Sequence, residues 1–307
     1  MTAHRVNRRA RKENLKKARK TIRILIFSFL ALLFLGFFVF FLFIFFKFER
    51  TSLVYKDENY YYLILDPQKN QMINIIIPED LLVDAALGYG RVRLGKLEKL
   101  SKDEGLDMKL VTKTISRYLY LPTIYWGNES ASFFNNKSLI KGLSFVFNPN
   151  SSNMGFIKKL QSFLFTFKIK SNQRLNYNLS KTDFLSQKVL QDGEPGHFKQ
   201  MDVLPSEIKV FVVDSMIKKN GFKVEIVNKT GDITLSNEIK NVLESMGFRV
   251  LSVLNKPKEN TDCLLYSTNQ DILNYASMIL DCKGEYGEDL RNFDLILEIG
   301  EIYLDKF

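Results

Sequence analysis

Histidine and cysteine are scarce in this chain, which has two of each: His4, His197, Cys263 and Cys282. A zinc site made of these residue types needs about four ligands at close spacing, so their number and spacing exclude one. A Ser-His-Asp or Cys-His catalytic centre would have to use His197, because His4 belongs to the N-terminal tail. His197 follows a stretch of turn-forming residues, and we do not expect such a centre there.

Charge is absent from residues 24–46, a run of 23 residues. At about 1.5 Å per residue, a helix of this length spans roughly 35 Å, enough to cross a bilayer core of about 30 Å. A buried helix of a soluble protein would show a polar face, and the run has none. We therefore predict a transmembrane helix over residues 24–46.

A cleavage site and a second long apolar run are also missing. A signal peptide has an apolar stretch of about 7–15 residues that ends at a small-residue Ala-x-Ala site. This run is longer and continues through Phe46-Lys-Phe-Glu-Arg50. The pattern predicts an uncleaved anchor in a single-pass membrane protein.

The N-terminal tail accounts for almost all of the net charge of +10. Residues 1–23 hold ten basic residues and one acidic residue, so 34 Lys and Arg face 33 Asp and Glu in the rest of the chain. Basic flanks stay cytoplasmic, so we expect the tail inside the cell, the bulk outside, and the cell membrane as the location and a partner. The nearly neutral exterior excludes a nucleic-acid partner.

Strand and helix patterns alternate after the predicted span, which indicates a mixed α/β fold. Ahead of the last domain we predict a polar linker at 47–58, a hairpin with strands Tyr60–Leu65 and Met72–Ile77, a helix from Asp107 to Leu119, loops with short strands at 127–152, a polar region at 172–200 and a short helix within Val203–Ile217.

Residues 156–167 carry six apolar side chains at helical spacing, with lysines around them. The pattern predicts a helix, and two interpretations of it stay open. We favour a helix that faces the core, and the alternative is a helix that lies on the outer membrane surface.

Residues 221–304 show the order β-α-β-β-α-β, which is typical of a small α/β sandwich. Cys263 begins its third strand and Cys282 ends its second helix. A helix that packs back on the preceding strand brings these positions together, so we predict a disulfide between them, which an oxidising exterior permits. The alternative is two buried thiols.

Three segments of this domain resemble the LytR C-terminal domain. They are Val224-Glu-Ile-Val-Asn-Lys-Thr-Gly231, Leu243-Glu-Ser-Met-Gly-Phe-Arg-Val250 and Asp294-Leu-Ile-Leu-Glu-Ile-Gly300. That family typically reads Val-x-Val-x-Asn-x-Thr-Gly, Leu-x-x-x-Gly-Phe-x-Val and an Asp-led apolar strand that ends in Gly. The resemblance implies a bacterial envelope protein and carries over no catalytic residues.

Residues 59–205 resemble a degenerate LytR-CpsA-Psr domain, mainly at the hairpin and the Leu121-Pro122 stretch. That family moves glycopolymers from a polyprenyl-pyrophosphate carrier onto the cell wall, with carboxylates for a divalent metal and arginines for the pyrophosphate. Its Ile-Pro-Arg-Asp motif is matched here by Pro78 and Asp80, whereas Glu79 replaces the arginine. The motifs that precede the hairpin in the family have no room before it.

A basic stretch with Arg91, Arg93 and Lys96 is the candidate anion-binding patch, and a solvated basic loop is the alternative. The first functional hypothesis is a non-catalytic, membrane-anchored envelope protein with a binding or scaffolding role in cell-wall glycopolymer assembly, without a cofactor. Its partners would be the bilayer, a glycopolymer or envelope proteins. The alternative is a divergent LytR-CpsA-Psr-type transferase, which would require Mg²⁺.

Overall fold

The computed structural model of the chain describes residues 22–23, 25–41, 48–189, 193–287, 290 and 292–307. The chain divides into two compact units, Met1–Phe48 and Glu49–Phe307. Each unit is described by itself.

In the first unit, residues 22–23 and 25–41 are helical, and we name them α1. Ile24 and residues 42–46 of the predicted span lie outside the described residues, as do residues 1–21 of the basic tail. Of the helices in the described ranges, none has both the length and the apolar composition needed to span a membrane.

The second unit has a mixed α/β fold, as predicted. Its strands are β1 Thr51–Lys56, β2 Tyr60–Asp66, β3 Gln71–Ile77, β4 Leu81–Ala85, β5 Gly90–Arg93, β6 Tyr125–Gly127, β7 Arg174–Asn178, β8 Leu185–Val189, β9 Pro195–Lys199, β10 Lys223–Asn228, β11 Arg249–Asn255, β12 Cys263–Ser267, β13 Lys283–Tyr286 and β14 Leu295–Ile299. Its α-helices are α2 Leu94–Asp103, α3 Lys109–Leu119, α4 Phe133–Asn136, α5 Leu139–Phe147, α6 Phe156–Lys168, α7 Ser206–Val212, α8 Ser215–Asn220, α9 Ile233–Met246 and α10 Gln270–Leu280.

The strands of the described residues form three sheets. Their orders are β6-β1-β2-β3-β7, β5-β4-β9-β8 and β11-β10-β14-β12-β13. In the first sheet, β2 and β3 form the predicted antiparallel hairpin, with Tyr60 opposite Ile77 and Asp66 opposite Gln71. A carboxylate oxygen of Asp66 accepts a hydrogen bond of 3.0 Å from the backbone N–H of Lys69, which stabilises the turn.

The prediction of a linker over residues 47–58 is wrong, because β1 occupies its middle. Leu53, Val54 and Tyr55 are buried, and β1 pairs with β2 on one side and β6 on the other. These side chains favour strands, but three apolar residues between polar flanks are too short a pattern to identify one from sequence.

Arg50 fixes the start of this strand. Its guanidinium donates hydrogen bonds to the carbonyl oxygens of Phe211 and Val212, the latter at 3.0 Å. The same group lies 3.7 Å from a carboxylate oxygen of Asp214 and 4.0 Å from one of Asp66. Charge-assisted hydrogen bonds of this kind tie the entry point of the second unit to α7 and the residues after it.

The first sheet is buried on both faces. On one face, Val54, Tyr62 and Ile75 belong to the main hydrophobic core. On the other, Tyr55 packs against Phe134 of α4, with ring centroids 5.9 Å apart. Alternating side chains of a strand point to opposite faces, so the inner strands β1, β2 and β3 carry apolar residues on both sides.

The prediction of loops and short strands over residues 127–152 is wrong, because most of the region is helical, in α4, α5 and short 3-10 turns. Its polar residues cap these helices. Asn128 and Asn148 accept hydrogen bonds from backbone N–H groups two residues ahead, and Ser138 accepts one from Lys141. Asn and Ser are common both at helix caps and in loops, so the sequence alone does not distinguish short capped helices from loops here.

The polar region at 172–200 contains β7, β8 and β9, which sequence analysis missed. The predicted helix within Val203–Ile217 is two short helices, α7 and α8, and Asp214 between them caps α8 through the N–H groups of Met216 and Ile217. These elements are too short for a periodic pattern to identify them.

The helix predicted over residues 156–167 is confirmed as α6, but its orientation is not the favoured one. Phe156 and Ile157 are exposed, whereas Lys159, Ser162 and Thr166 are buried. The polar side of this helix therefore faces inward.

The C-terminal module follows the predicted order and adds one strand, β13, between α10 and β14. The sequence of β13, Lys283-Gly-Glu-Tyr286, is mostly polar and does not show a strand pattern. Gly247 ends α9 in the left-handed region with φ of 107°, a conformation that glycine adopts without strain. One hydrophobic core continues from the first sheet through α3 into this module.

The predicted disulfide is present. Cys263 is the first residue of β12, Cys282 follows the end of α10, and the two Cα atoms are 4.9 Å apart. Both residues are buried. The bond closes a loop of 19 residues between the strand and the helix that packs on it.

Removing this bond should destabilise the protein. For a loop of this length, chain entropy predicts a loss of about 3 kcal/mol in the free energy of unfolding. We expect that loss in urea unfolding of the C263A/C282A variant, and a similar loss when the native protein is reduced. Reductant should leave the variant unchanged. Two thiols that react with an alkylating agent in the native, unreduced protein would show that the bond does not form.

A second prediction concerns acid stability. The Asp281 carboxylate accepts a hydrogen bond of 2.8 Å from Lys113 and lies 3.3 Å from Lys109, so α10 is joined to α3. The Lys113 hydrogen bond lowers the pKa of Asp281 below its ordinary value. Its stabilisation is therefore complete above the unfolded-state pKa of about 4 and is lost as the pH falls through the lower folded-state pKa.

Asp281→Asn isolates this charge, because Asn also tolerates the left-handed conformation of Asp281, where φ is 58°. We expect a loss below about 1 kcal/mol at pH 7, since the pair is half exposed, and no difference from the native protein at pH 2. Thermal melts between pH 2 and pH 7 measure the difference in stability between the variant and the native protein, with substitution of the exposed Asp305, Asp305→Asn, as the control. A difference that stays constant with pH would exclude the ion pair as its cause.

Candidate functional site

The predicted basic patch lies on the second sheet, where β4 and β5 form a hairpin. Asp84 stands opposite Arg91, and Leu82 opposite Arg93. Gly88 and Gly90 have φ of 74° in the connection, which glycine accepts without strain. The hairpin thus sets each arginine beside a particular cross-strand neighbour.

Both arginines already have carboxylate partners. Arg91 donates a hydrogen bond of 3.0 Å to Asp84, which raises the pKa of its guanidinium. Arg93 donates to the carbonyl oxygen of Pro195 at 3.1 Å and lies 3.5 Å from a carboxylate oxygen of Glu194. Lys96 is exposed on the first turn of α2. An anion would therefore compete with Asp84 and Glu194 for the two arginines.

The residues that resemble the Ile-Pro-Arg-Asp motif are held by local contacts. Glu79, in place of the arginine, lies 3.0 Å from the ammonium of Lys56, which is 3.7 Å from Glu98. The backbone N–H of Gly95 donates a hydrogen bond of 2.8 Å to the carbonyl oxygen of Glu79. Pro78 precedes Glu79 and Asp80 at the start of the turn into β4.

Asp80 contacts His197, which lies opposite Leu81 where β4 and β9 pair. Its carboxylate is 2.8 Å from Nδ1 of the imidazole, and its carbonyl oxygen accepts a hydrogen bond from the backbone N–H of His197. Among the described residues, the imidazole hydrogen bonds to Asp80 alone. A Ser-His-Asp centre would also need a hydroxyl on the other ring nitrogen.

Within the described part of the chain, no group of three or more His, Cys, Asp or Glu side chains is placed to hold a metal ion. A small cleft of about 30 Å³ lies between Tyr120 and Leu204 on one side and α9 on the other. Its charged lining residues are Asp202, Lys209 and Glu244, without an arginine. A site for pyrophosphate and a divalent metal would need clustered carboxylates and arginines.

The three segments that carry the C-terminal resemblance lie side by side. They form β10 with the turn after it, the end of α9 with β11, and β14, and β10 runs parallel to both neighbouring strands. The buried Asn228 ends β10, donates to the carbonyl oxygen of Asp232 and the side chain of Asn255, and accepts from the N–H and hydroxyl of Thr230. The Asn and Thr of this motif thus fix the turn.

The chain itself covers the carboxyl ends of these strands, where open α/β sheets usually bind ligands. The N–H of Lys256 donates to the carbonyl oxygen of Asn228, and that of Glu259 to the carbonyl oxygen of Lys229. The Lys229 ammonium lies 2.9 Å from Glu259 and 3.1 Å from Glu298. Asp232 caps the start of α9 with its own carboxylate. The place of a bound anion is therefore filled by protein groups.

The basic patch could be predicted from the sequence, but the carboxylate partners of its arginines could not. A signal was present for one of them, since Asp84 and Arg91 lie at equal distances on either side of the turn residues Leu87-Gly88. The pairing of Asp80 with His197 joins positions 117 residues apart, and no local pattern reports it.

No protein-family model matches the chain, and no curated protein matches it. Among solved structures, it is similar to TagT of B. subtilis, with 12% identity, 50% of this chain and 85% of that chain covered, and a TM-score of 0.34. It is also similar to TagV of B. subtilis, with 10% identity, 66% and 99% covered, and a TM-score of 0.37. A structure of TagT bound to LIIa-WTA matches with 12% identity, 50% and 85% covered, and a TM-score of 0.34. Likenesses at this level do not show a family for this chain.

The basic patch gives a third prediction. If Arg91, Arg93 and Lys96 bind an anionic polymer, Asp84→Asn should strengthen binding because it frees Arg91 from its partner. The triple variant R91E/R93E/K96E should abolish it. Co-sedimentation with a glycerol-phosphate polymer at low salt measures both, since surface electrostatics are screened at high salt. Equal binding by the native protein and both variants would remove these residues as an anion site.

Proposed function

We propose that the chain is a single-pass, membrane-anchored bacterial envelope protein. Its extracytoplasmic part has a binding or scaffolding role in the assembly of cell-wall glycopolymers and does not catalyse glycopolymer transfer. One observation carries the proposal. The three segments that resemble the LytR C-terminal domain lie side by side in one module, and Lys256 and Glu259 hydrogen bond to Asn228 and Lys229 at the carboxyl end of β10.

The anchor rests on residues 1–46. An uncharged run of 23 residues follows a tail with ten basic residues and one acidic residue. This asymmetry is typical of a membrane span with its N-terminus in the cytoplasm. The disulfide between Cys263 and Cys282 supports an oxidising location for the rest of the chain.

The absence of catalysis rests on the region that resembles the LytR-CpsA-Psr domain. Glu79 stands where that family has an arginine, and it is paired with Lys56. The carboxylate of Asp80 faces His197, and Arg91 and Arg93 face carboxylates. These charged groups, which match the family motif or belong to the basic patch, are thus engaged by other protein groups.

A divergent transferase is the competing function, and Pro78 and Asp80, which match the family motif, favour it. It would need Mg²⁺ and a polyprenyl-pyrophosphate substrate. The full chain with a labelled N-terminus, in intact cells and in vesicles prepared from them, separates the two functions.

We expect the protein to stay in the membrane fraction during extraction at alkaline pH. We expect protease added outside intact cells to digest the C-terminal bulk while the N-terminal label survives. We expect no Mg²⁺-dependent hydrolysis of a polyprenyl pyrophosphate, and retention of purified cell-wall glycopolymer. Hydrolysis that is lost in Asp80→Asn would establish the transferase instead. Extraction at alkaline pH would contradict the anchor.

A further inference from the structure

Helices α5 and α6 bury Phe145, Val146 and Phe165 but leave further apolar side chains exposed. Exposed on them are Leu139, Ile140, Leu143, Phe147, Phe156 and Ile157, which we name the α5–α6 face. Ile140 is 82% exposed. A surface helix of a soluble protein normally buries this side, so the face calls for a partner that covers it.

The inward side of α6 is polar and fully bonded. Lys159 is only 3% exposed, and its ammonium donates to the carbonyl oxygens of Asn148 and Pro149 at 2.8 and 3.2 Å and to the hydroxyl of Ser151 at 2.8 Å. All three ammonium hydrogens therefore have acceptors. Rotating the helix to bury its apolar side would leave this charge and these acceptors without partners, so the outward face is fixed.

The two helices present one continuous surface. A Cβ on Gly142 would lie 2.5 Å from the ring of Phe163, so glycine is what lets α5 and α6 approach. At the other end of the pair, the rings of Phe147 and Phe156 are 5.9 Å apart. The exposed side chains of α5 and α6 thus adjoin each other where the two helices are connected.

Charge identifies what covers this face. Residues 130–182 contain no Asp or Glu and eight basic residues, namely Lys137, Lys141, Lys158, Lys159, Lys168, Lys170, Arg174 and Lys181. A second copy of the same face would bring two such sets of positive charge together. Lys159 is buried and bonded to protein groups, so it does not contribute, whereas an anionic bilayer surface attracts the exposed lysines of this set by about 1 kcal/mol for each one near it.

The face also lies near the start of the second unit. Lys158, in the first turn of α6, places its ammonium 3.1 Å from the hydroxyl of Tyr125. Tyr125 pairs with Leu53, the third residue of β1. Only residues 47–50 separate β1 from the uncharged run in the sequence.

We infer that the α5–α6 face lies on the outer surface of the bilayer, with its apolar side chains about 5–10 Å into the boundary between headgroups and acyl chains. The surrounding lysines contact anionic headgroups. This inference rests on the proposed anchor, which holds the face at the membrane. Docking would fix the orientation of the extracytoplasmic part toward the bilayer.

Tryptophan quenching tests the inference, because the chain has a single tryptophan, Trp126. In the full-length W126F background, a probe is placed by Ile140→Trp or by Phe156→Trp, and the matched control is Ile302→Trp, at an exposed apolar position of the C-terminal module. In vesicles that contain anionic and brominated lipid, we expect loss of fluorescence at positions 140 and 156 and not at 302. The loss should be smaller without anionic lipid.

A charged variant provides the second measurement. Adding Leu143→Glu and Phe147→Glu to the Ile140→Trp protein should remove the quenching, and circular dichroism should remain unchanged because both side chains are exposed. Quenching at positions 140 and 156 that is no greater than at 302 would overturn the inference, as would probes shielded from both water and lipid by a second copy. If the probes at positions 140 and 156 are quenched but the protein is extracted from the membrane at alkaline pH, only the proposed anchor would be overturned.

Discussion

Burial of the first sheet on both faces is the constraint around which the second unit is arranged. One face belongs to the core shared with α3 and the C-terminal module, and the other is covered by α4, α5 and α6. Covering the second face brings Phe133 and Phe134 inward. What is left of the apolar surface of α5 and α6 then points away from the sheet, and Lys159 is held in the interior by carbonyl and hydroxyl oxygens.

Charge is distributed in two different ways in this molecule. On the second sheet and at the edge of the C-terminal module, each of Arg91, Arg93 and Lys229 faces a carboxylate, so these places are electrically balanced. Residues 130–182, which include α5 and α6, contain no Asp or Glu to balance their lysines. The cations of the first two places are thus neutralised by nearby carboxylates, whereas the lysines of α5 and α6 have no carboxylate within their own stretch of sequence.

Elements with a strong local pattern were predictable. The β2–β3 hairpin, α3, α6, α9 and the strand from Cys263 to Ser267 follow from alternation, helical spacing and turn residues. The disulfide followed from packing α10 back on β12. Short strands such as β1 and β13 carry too few apolar residues for a local pattern to identify them. The candidate site depends on contacts between distant positions, because sequence gives Arg93 and Asp80 but not that they meet Glu194 and His197.

The contacts of Arg50 have a mechanical meaning. The residues just before β1 connect the second unit to everything N-terminal to it, and β1 lies between β2 and β6 rather than at an edge. A pull along this strand acts on the hydrogen bonds of both neighbours at once, in shear, instead of opening them one after another. The guanidinium of Arg50, bonded to Phe211 and Val212, passes part of that force to α7. Tension at the N-terminus is thus shared by two regions that lie far apart in the sequence.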